Sequence, residues 1–229
     1  MNNLVFQVNI KPNDVKTSGR KKFVYSKELY DYSNVRAKKY AEKYNADYFC
    51  LRNIEWLGNY APCYHKLYVY ELLKKYDNIF YLDSDAIITK SCPNIFDFTE
   101  FSATRDVANT EAGNKRIERK NNIHGLPLTH QYFCSSVVLF NQKFFEKTEK
   151  YWREELIKWK DIKNAQHDQS IFNVLVAKYY GKYNVLDYDW GAHWKRGKYI
   201  LHYGNPQPKI EWQKTIERFE KYESRISPS

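Results

Sequence analysis

One segment limits the architecture more than any other: Asn78-Ile79-Phe80-Tyr81-Leu82, running into Asp83-Ser84-Asp85 and out through Ala86-Ile87-Ile88. Four consecutive apolar residues leave no polar face, so a strand made from them must be covered on both sides. That is the environment at the centre of a mostly parallel sheet. Around this segment, strand patterns at residues 4–10, 47–51, 101–104, 132–140, 183–186 and 198–202 alternate with helical patterns at 26–44, 62–76, 141–159, 168–181 and 209–224. Ser26, Asn141 and Asp168 suit N-caps, Pro62 suits a first helical turn, and Gly181 suits a helix end. Strands alternating with helices predict an α/β layer fold, a central mixed, mostly parallel sheet flanked by helices. With 229 residues, no repeat and no linker, one domain over 1–229 is expected. Residues 107–131 are polar and rich in Asn, Arg and Lys, and read as a flexible loop that closes over a site or shapes it.

Glycine narrows the function. The eight glycines are never closer than six residues, so neither G-x-G-x-x-G nor G-x-x-x-x-G-K can be written. A phosphorylated ligand would have to be held by side chains or a metal instead of a backbone cradle. Cys50, Cys63, Cys92 and Cys134 form no C-x-x-C pair, which disfavours structural zinc. Spread cysteines without a secretory leader lead us to expect free thiols and a cytoplasmic location. No apolar run is long enough for a membrane span, and neither H-E-x-x-H nor G-x-S-x-G occurs.

The chemistry concentrates at Asp83-Ser84-Asp85. In extended backbone, residues two apart point the same way with Cα atoms roughly 6.5–7 Å apart. Carboxylates so placed at the end of a buried strand lie where open α/β sheets bind ligands. Two buried like charges call for a cation, and oxygen ligands favour Mg²⁺ or Mn²⁺. His202, at the end of a short strand, can complete a mixed site, and its imidazole tilts the choice toward Mn²⁺. Lys66, early in the helix opened by Pro62, can steady a diphosphate leaving group. Asp187-Tyr188-Asp189 repeats the acidic spacing behind a shorter, more polar strand and reads as a loop. The blander readings are a solvated turn for the first acidic pair, a helix-surface lysine for Lys66 and an N-cap for Asp168.

Taken together, Lys66-Leu67-Tyr68 and the run from Tyr76 to Asp85 resemble the donor-site block of GT-A-fold glycosyltransferases. The similarity is to the family 8-like glycogenin and lipopolysaccharide-galactosyltransferase type, with galactosyl/xylosyltransferases next. Lys66 stands seventeen residues before Asp83, where that family keeps a basic residue. Ala103-Thr104-Arg105-Asp106, Phe133 to Asn141, Asp168-Gln169-Ser170-Ile171-Phe172-Asn173, and His202-Tyr203-Gly204 with Lys209 resemble its later blocks in order. Cys134 and Ser136 stand where the family has Asn and Gly. The resemblance implies a single GT-A, Rossmann-like domain that transfers a sugar from a UDP-sugar with Mn²⁺ or Mg²⁺ and with retention. The acceptor would be a glycan, a glycolipid or lipid-linked glycan, or a glycoprotein. It implies that Asp83, Asp85 and His202 hold the metal, and that Asp83 also nears the ribose. Lys66, Gly204 and Lys209 would meet the diphosphate, Val8 and Asn9 the nucleobase, and Asp106, Asp168 and Gln169 the sugar.

The +10 net charge and 17% aromatic content fit a rival reading as a base-stacking nucleic-acid-binding domain. No nucleic-acid motif accompanies them, so no nucleic-acid partner is expected. A Mg²⁺-dependent nucleotidyltransferase is a second rival, weakened by the missing glycine-rich loop. The helix at 209–224, with Trp212, Ile216 and Phe219 among basic residues, reads either as a packed helix or as a peripheral membrane contact.

Overall fold

The computed structural model describes residues 1–11, 26–53, 55–58, 60–107, 110–160, 167–191, 197–203 and 211–226. Its strands are β1 (Asn3–Val8), β2 (Asp47–Leu51), β3 (Asn78–Leu82), β4 (Ala86–Ile88), β5 (Ser102–Arg105), β6 (Phe133–Asn141), β7 (Asn184–Leu186) and β8 (Ile200–His202). Its helices are α1 (Lys27–Lys43), α2 (Val69–Leu72), α3 (Glu111–His124), α4 (Gln142–Thr148), α5 (Trp152–Trp159), α6 (His167–Leu175) and α7 (Trp212–Ile226). Six strands form one sheet in the order β2-β1-β3-β6-β5-β7, and β4 pairs with β8 in a second. In the large sheet only β6 runs against its neighbours β3 and β5, while β1–β2, β1–β3 and β5–β7 are parallel. Because β6 is reversed, its first residues lie at the same edge as the last residues of β1, β3 and β5. That edge is where the charged residues collect.

β3 is buried at every position, as its sequence requires. Ile79 and Tyr81 pack with Leu4, Phe6, Val138 and Phe140 on one face, and Phe80 and Leu82 pack with Val5, Val137 and Leu139 on the other. Each face is covered by helices, so alternate side chains of the same apolar strands serve two separate cores. Ser26 caps α1, its Oγ accepting from Leu29 N, and Asn141 caps α4, its Oδ1 accepting from Phe144 N.

Four expectations are corrected. Pro62 opens a 3₁₀ turn (Pro62–Tyr68) that passes into the short α2 instead of one long helix. The helix expected over 141–159 is two helices, α4 and α5. Asp168 does not cap α6: the helix already includes His167, and the Asp168 carboxylate is engaged elsewhere. Most of the expected loop at 107–131 is the helix α3. Thr110 Oγ1 accepts from Gly113 N at its start, and Gly125 ends it in the left-handed region at φ 62°. The inner face of α3 is mainly polar, with Lys120, Asn121 and His124 buried beside Ile117, so hydrophobic periodicity does not reveal it.

The amphipathic C-terminal helix is present as α7. Its Trp212, Ile216 and Phe219 are buried, and Trp212 and Phe219 join Leu29, Tyr30, Ile87 and Tyr203 in a small core. The apolar stripe therefore packs on the protein's own surface and is not left for a membrane. No described helix is long and apolar enough to cross one. Cys50, Cys63, Cys92 and Cys134 are free thiols.

Candidate active site

Asp83 follows β3 directly, and the chain then turns sharply: Ala86 N donates to Asp83 O at 3.0 Å, and Ser84 Oγ donates to Val8 O at 2.9 Å. The two aspartates thus sit on a turn pinned to β1, not on the extended backbone the spacing suggested. β4 leaves this turn and pairs with β8 in the register Ala86↔His202, while Tyr203 N donates to Asp85 O at 2.9 Å. That small sheet carries a distant histidine to the aspartates. His202 Nε2 lies 3.2 Å from Asp85 Oδ1 and 3.8 Å from Asp83 Oδ2. One ligand atom from each residue falls within 4.8 Å of the others, a spacing at which the three could hold one metal ion. Two carboxylate oxygens and an imidazole nitrogen suit a divalent ion of the Mg²⁺–Mn²⁺ class.

Electrostatics agrees with a cation here. Burial raises the Asp83 carboxyl, Lys66 draws it down, Asp85 raises it again, and the result stays above the ordinary value. Burial opposes the charge on His202, but Asp85 and Asp83 outweigh it and lift the imidazole to about 9.

Lys66 occupies the centre of the floor. Its Nζ lies 2.9 Å from Asp83 Oδ1 and 2.9 Å from Asp168 Oδ2, and it donates to Ser135 O at 3.4 Å and Ser135 Oγ at 3.3 Å. Burial works against its charge, yet the two carboxylates hold it above its ordinary range. Tyr81 OH donates to Asp83 Oδ1 at 2.6 Å, and Ser135 Oγ donates to Asp168 Oδ2 at 2.6 Å. The Lys66–Asp168 pair explains why Asp168 is not used as a cap. It also joins the last residues of β3 to the first turn of α6 through β6.

Farther along the edge, Asp106 is 1% exposed; its backbone N–H donates to Tyr132 O at 3.1 Å. Gln169 Nε2 donates to Asp106 Oδ1 at 2.8 Å, and Lys120 of α3 pairs with Asp106 Oδ2. Cys134 Sγ and Ser136 Oγ form a hydrogen bond of 2.9 Å on β6. At the other end, Val8, Asn9, Tyr30, Cys63, Lys66 and Asp85 are among the residues lining a cavity of about 120 Å³. Asn9 is buried, and among the described residues its side-chain amide has no partner for either end. Val8, Asn9, Lys66, Asp83, Asp85, Asp106, Asp168, Gln169 and His202 therefore share one edge of the fold. Gly204 and Lys209 lie outside the described residues. Asp187-Tyr188-Asp189 is a capped 3₁₀ turn, Asp187 Oδ1 accepting from Asp189 N, in keeping with a loop.

Sequence reasoning missed Tyr81, Ser135 and Lys120. Tyr81 is two residues before Asp83, close enough for its ring to lie against the lysine and its hydroxyl to reach the carboxylate. Ser135 was visible as a polar residue inside an apolar strand. Lys120 lay within a segment read as a loop.

Comparison with known proteins gives the same architecture. The LgtC galactosyltransferase crystallised with donor and acceptor sugar analogs is 16% identical, with a TM-score of 0.62 over 99% of this chain and 97% of that one. A glycosyltransferase involved in glycosylation of the major capsid of PBCV-1 is 10% identical, with a TM-score of 0.52 over 82% of this chain and 83% of that one. The glycosyltransferase GlyE of Streptococcus pneumoniae TIGR4 is 16% identical, with a TM-score of 0.50 over 97% of this chain and 64% of that one. The six-stranded sheet with its single reversed strand is thus the GT-A fold of glycosyltransferases. Among curated proteins none matches the sequence. The profile described as Glycosyl transferase family 8 matches residues 2–215, nearly the whole chain, and the chain is a glycosyltransferase belonging to that family.

Proposed function

We propose that the protein transfers a sugar from a UDP-sugar to an acceptor hydroxyl on a glycan, a lipid-linked glycan or a protein, with retention at the anomeric carbon and with Mn²⁺ or Mg²⁺ as cofactor. The observation that carries this reading is the meeting of Asp83, Asp85 and His202 at the carboxyl edge of the sheet, in a chain without a glycine phosphate loop. A divalent ion held by these three would neutralise the diphosphate and ease departure of UDP. Asn9 supports a nucleobase at the end of β1: an unpartnered amide, with one donor end and one acceptor end, matches the imide edge of uracil.

In this reading, Asp83 accepts from the ribose while Tyr81 and Lys66 fix its second oxygen. Lys66 brings the opposing charge to the leaving-group side, and Lys209 and Gly204 complete the diphosphate contacts. Asp168, held by Lys66 and Ser135, faces the anomeric centre as a fixed negative charge where positive charge develops. Gln169 and Asp106 take the hydroxyls of the transferred sugar. The small cavity beside Asn9 matches the nucleoside end, and the diphosphate and sugar would follow the open sheet edge toward Asp106. That a galactosyltransferase of like fold was crystallised with sugar analogs of donor and acceptor supports a donor of this class.

Melting temperature with UDP, with and without Mn²⁺, tests the reading, together with donor hydrolysis across nucleotide sugars. UDP should stabilise the protein only when metal is present, and Asp85→Ala should abolish that effect while keeping the fold. Metal-independent stabilisation by single-stranded oligonucleotide, fading with salt, would sink the reading.

A further inference from the structure

Helix α3 carries a buried lysine that nothing in the nucleotide end of the site requires. Lys120 is 8% exposed, lies 4.9 Å from the Tyr132 ring and pairs with Asp106, which is itself 1% exposed. The helix is anchored without it. His124 Nε2 hydrogen-bonds Ser170 Oγ at 2.8 Å, Asn121 Nδ2 donates to His130 O at 2.8 Å, and Ile117 packs into the main core. Burying an ion pair is a poor way to gain stability, because desolvation cancels most of the attraction and a hydrophobic pair of like size serves as well. The geometry instead points to Asp106. Lys120 holds Oδ2 while Gln169 Nε2 donates to Oδ1, so both carboxylate oxygens are engaged and the plane of the group is set. Gln169 is oriented in turn: its amide nitrogen faces Asp106, which fixes the way its carbonyl points.

We propose that Lys120 is a positioning residue of the sugar subsite. It keeps Asp106 a fixed, acceptor-only carboxylate and, through Asp106, orients Gln169 for the transferred sugar. The proposal rests on the donor site described above. It makes α3 a strut tied to the first turns of α6 instead of a lid that opens and closes. Without the ammonium, Asp106 would sit in a dry pocket with no counter-charge. It would then take a proton or rotate, and either change removes the acceptor that a sugar hydroxyl meets.

The test compares the unaltered chain with Lys120→Met, Lys120→Arg, Asp106→Asn and the double variant Lys120→Met/Asp106→Asn. Each is measured with Mn²⁺ for affinity toward UDP and toward UDP-glucose, UDP-galactose and UDP-N-acetylglucosamine, and for hydrolysis of the donor the unaltered chain prefers. Lys120→Met should bind UDP within about twofold of the unaltered chain and lose about tenfold or more in sugar-nucleotide affinity or hydrolysis. Lys120→Arg should recover part of that loss, and the double variant should be no worse than Asp106→Asn alone. If Lys120→Met fails to fold, Lys120→Gln, which can donate without charge, replaces it in the same cycle. Full donor hydrolysis by a folded Lys120→Met chain, or losses that multiply in the double variant, would overturn the proposal. So would an unaltered chain that binds UDP but gains nothing from any of the sugars. An unaltered chain that fails to bind UDP with metal removes the donor-site reading itself, and this proposal with it.

Discussion

At the scale of single residues, the site is organised by Lys66 more than by any one acid. Its ammonium lies 2.9 Å from carboxylate oxygens of both Asp83 and Asp168, and it is only 7% exposed. Removing one member of such a cluster leaves charges in low dielectric with nothing to balance them, which costs more than the pair ever contributed. Lys66→Met should therefore lower stability by about 3–5 kcal/mol in urea unfolding without ligand. Tyr81→Phe, which deletes one hydrogen bond to Asp83 and keeps the ring, should cost about 1 kcal/mol. If both substitutions cost the same, Lys66 is not the keystone that the distances make it. Lys66→Arg should not restore the site, since a planar fork cannot reproduce a point charge placed between Asp83, Asp168 and Ser135.

At the scale of elements, α3 differs in kind from the rest of the fold. It and the segment that follows it dock on α6 through histidines: His124 of α3 to Ser170, and His130, beyond the helix end, through Nε2 to Asn173 Oδ1 at 3.0 Å. Burial lowers the pKa of both imidazoles, so the folded chain favours their neutral forms. In the unfolded chain each takes up a proton near pH 6.5. Their contribution is therefore complete above about pH 6.5 and declines as pH falls through the lower folded values, because the unfolded state then binds more protons. The urea midpoint should drop between pH 7 and 5, and the His124→Gln/His130→Gln variant should drop less over the same range; parallel slopes would refute the assignment. Thr110→Ala should cost about 1 kcal/mol through loss of the cap at the start of α3. This helix also marks where the sequence stopped being readable. β3 could be read because four apolar residues admit one environment, and the aspartates that follow it because ligand-binding edges lie where buried strands end. α3 offers Ala112, Ile117 and Ile123 among ten polar residues and one glycine, so only its caps, Thr110 and Gly125, could have signalled it. Lys120 was hidden with it. Lys66, Asp168 and His202 were legible as chemistry, but their mutual contacts depend on β6 and β8, pairings that no local pattern specifies.

At the scale of the whole molecule, the proposed metal site lies where two sheets meet. Asp83 ends a strand of the six-stranded sheet, whereas His202 belongs to β8 of the two-stranded one, with Asp85 beside it on the connecting turn. Within the described residues, the small sheet rests on α1 and on the Leu82–Val137 side of the core, with α7 closing it from outside. A ligand that grips all three side chains would couple the opening of β8 to that of the central sheet, and binding to the folded state alone adds stability by mass action. With Mn²⁺ and UDP at about one hundred times their dissociation constant, the gain is about 2.7 kcal/mol. In a chain of this size that corresponds to a rise in melting temperature of ~5–10 °C. Chelation by EDTA should reverse it, and His202→Ala should remove it although the central sheet is untouched. Hydrogen exchange locates the effect: amides of Ile200–His202 and of the turn at 83–86 should gain protection with Mn²⁺ and UDP, while those of β7, at the far edge of the sheet, should not. Protection that rises equally in β7, or that survives EDTA, would mean the two sheets are joined by something other than the shared ion.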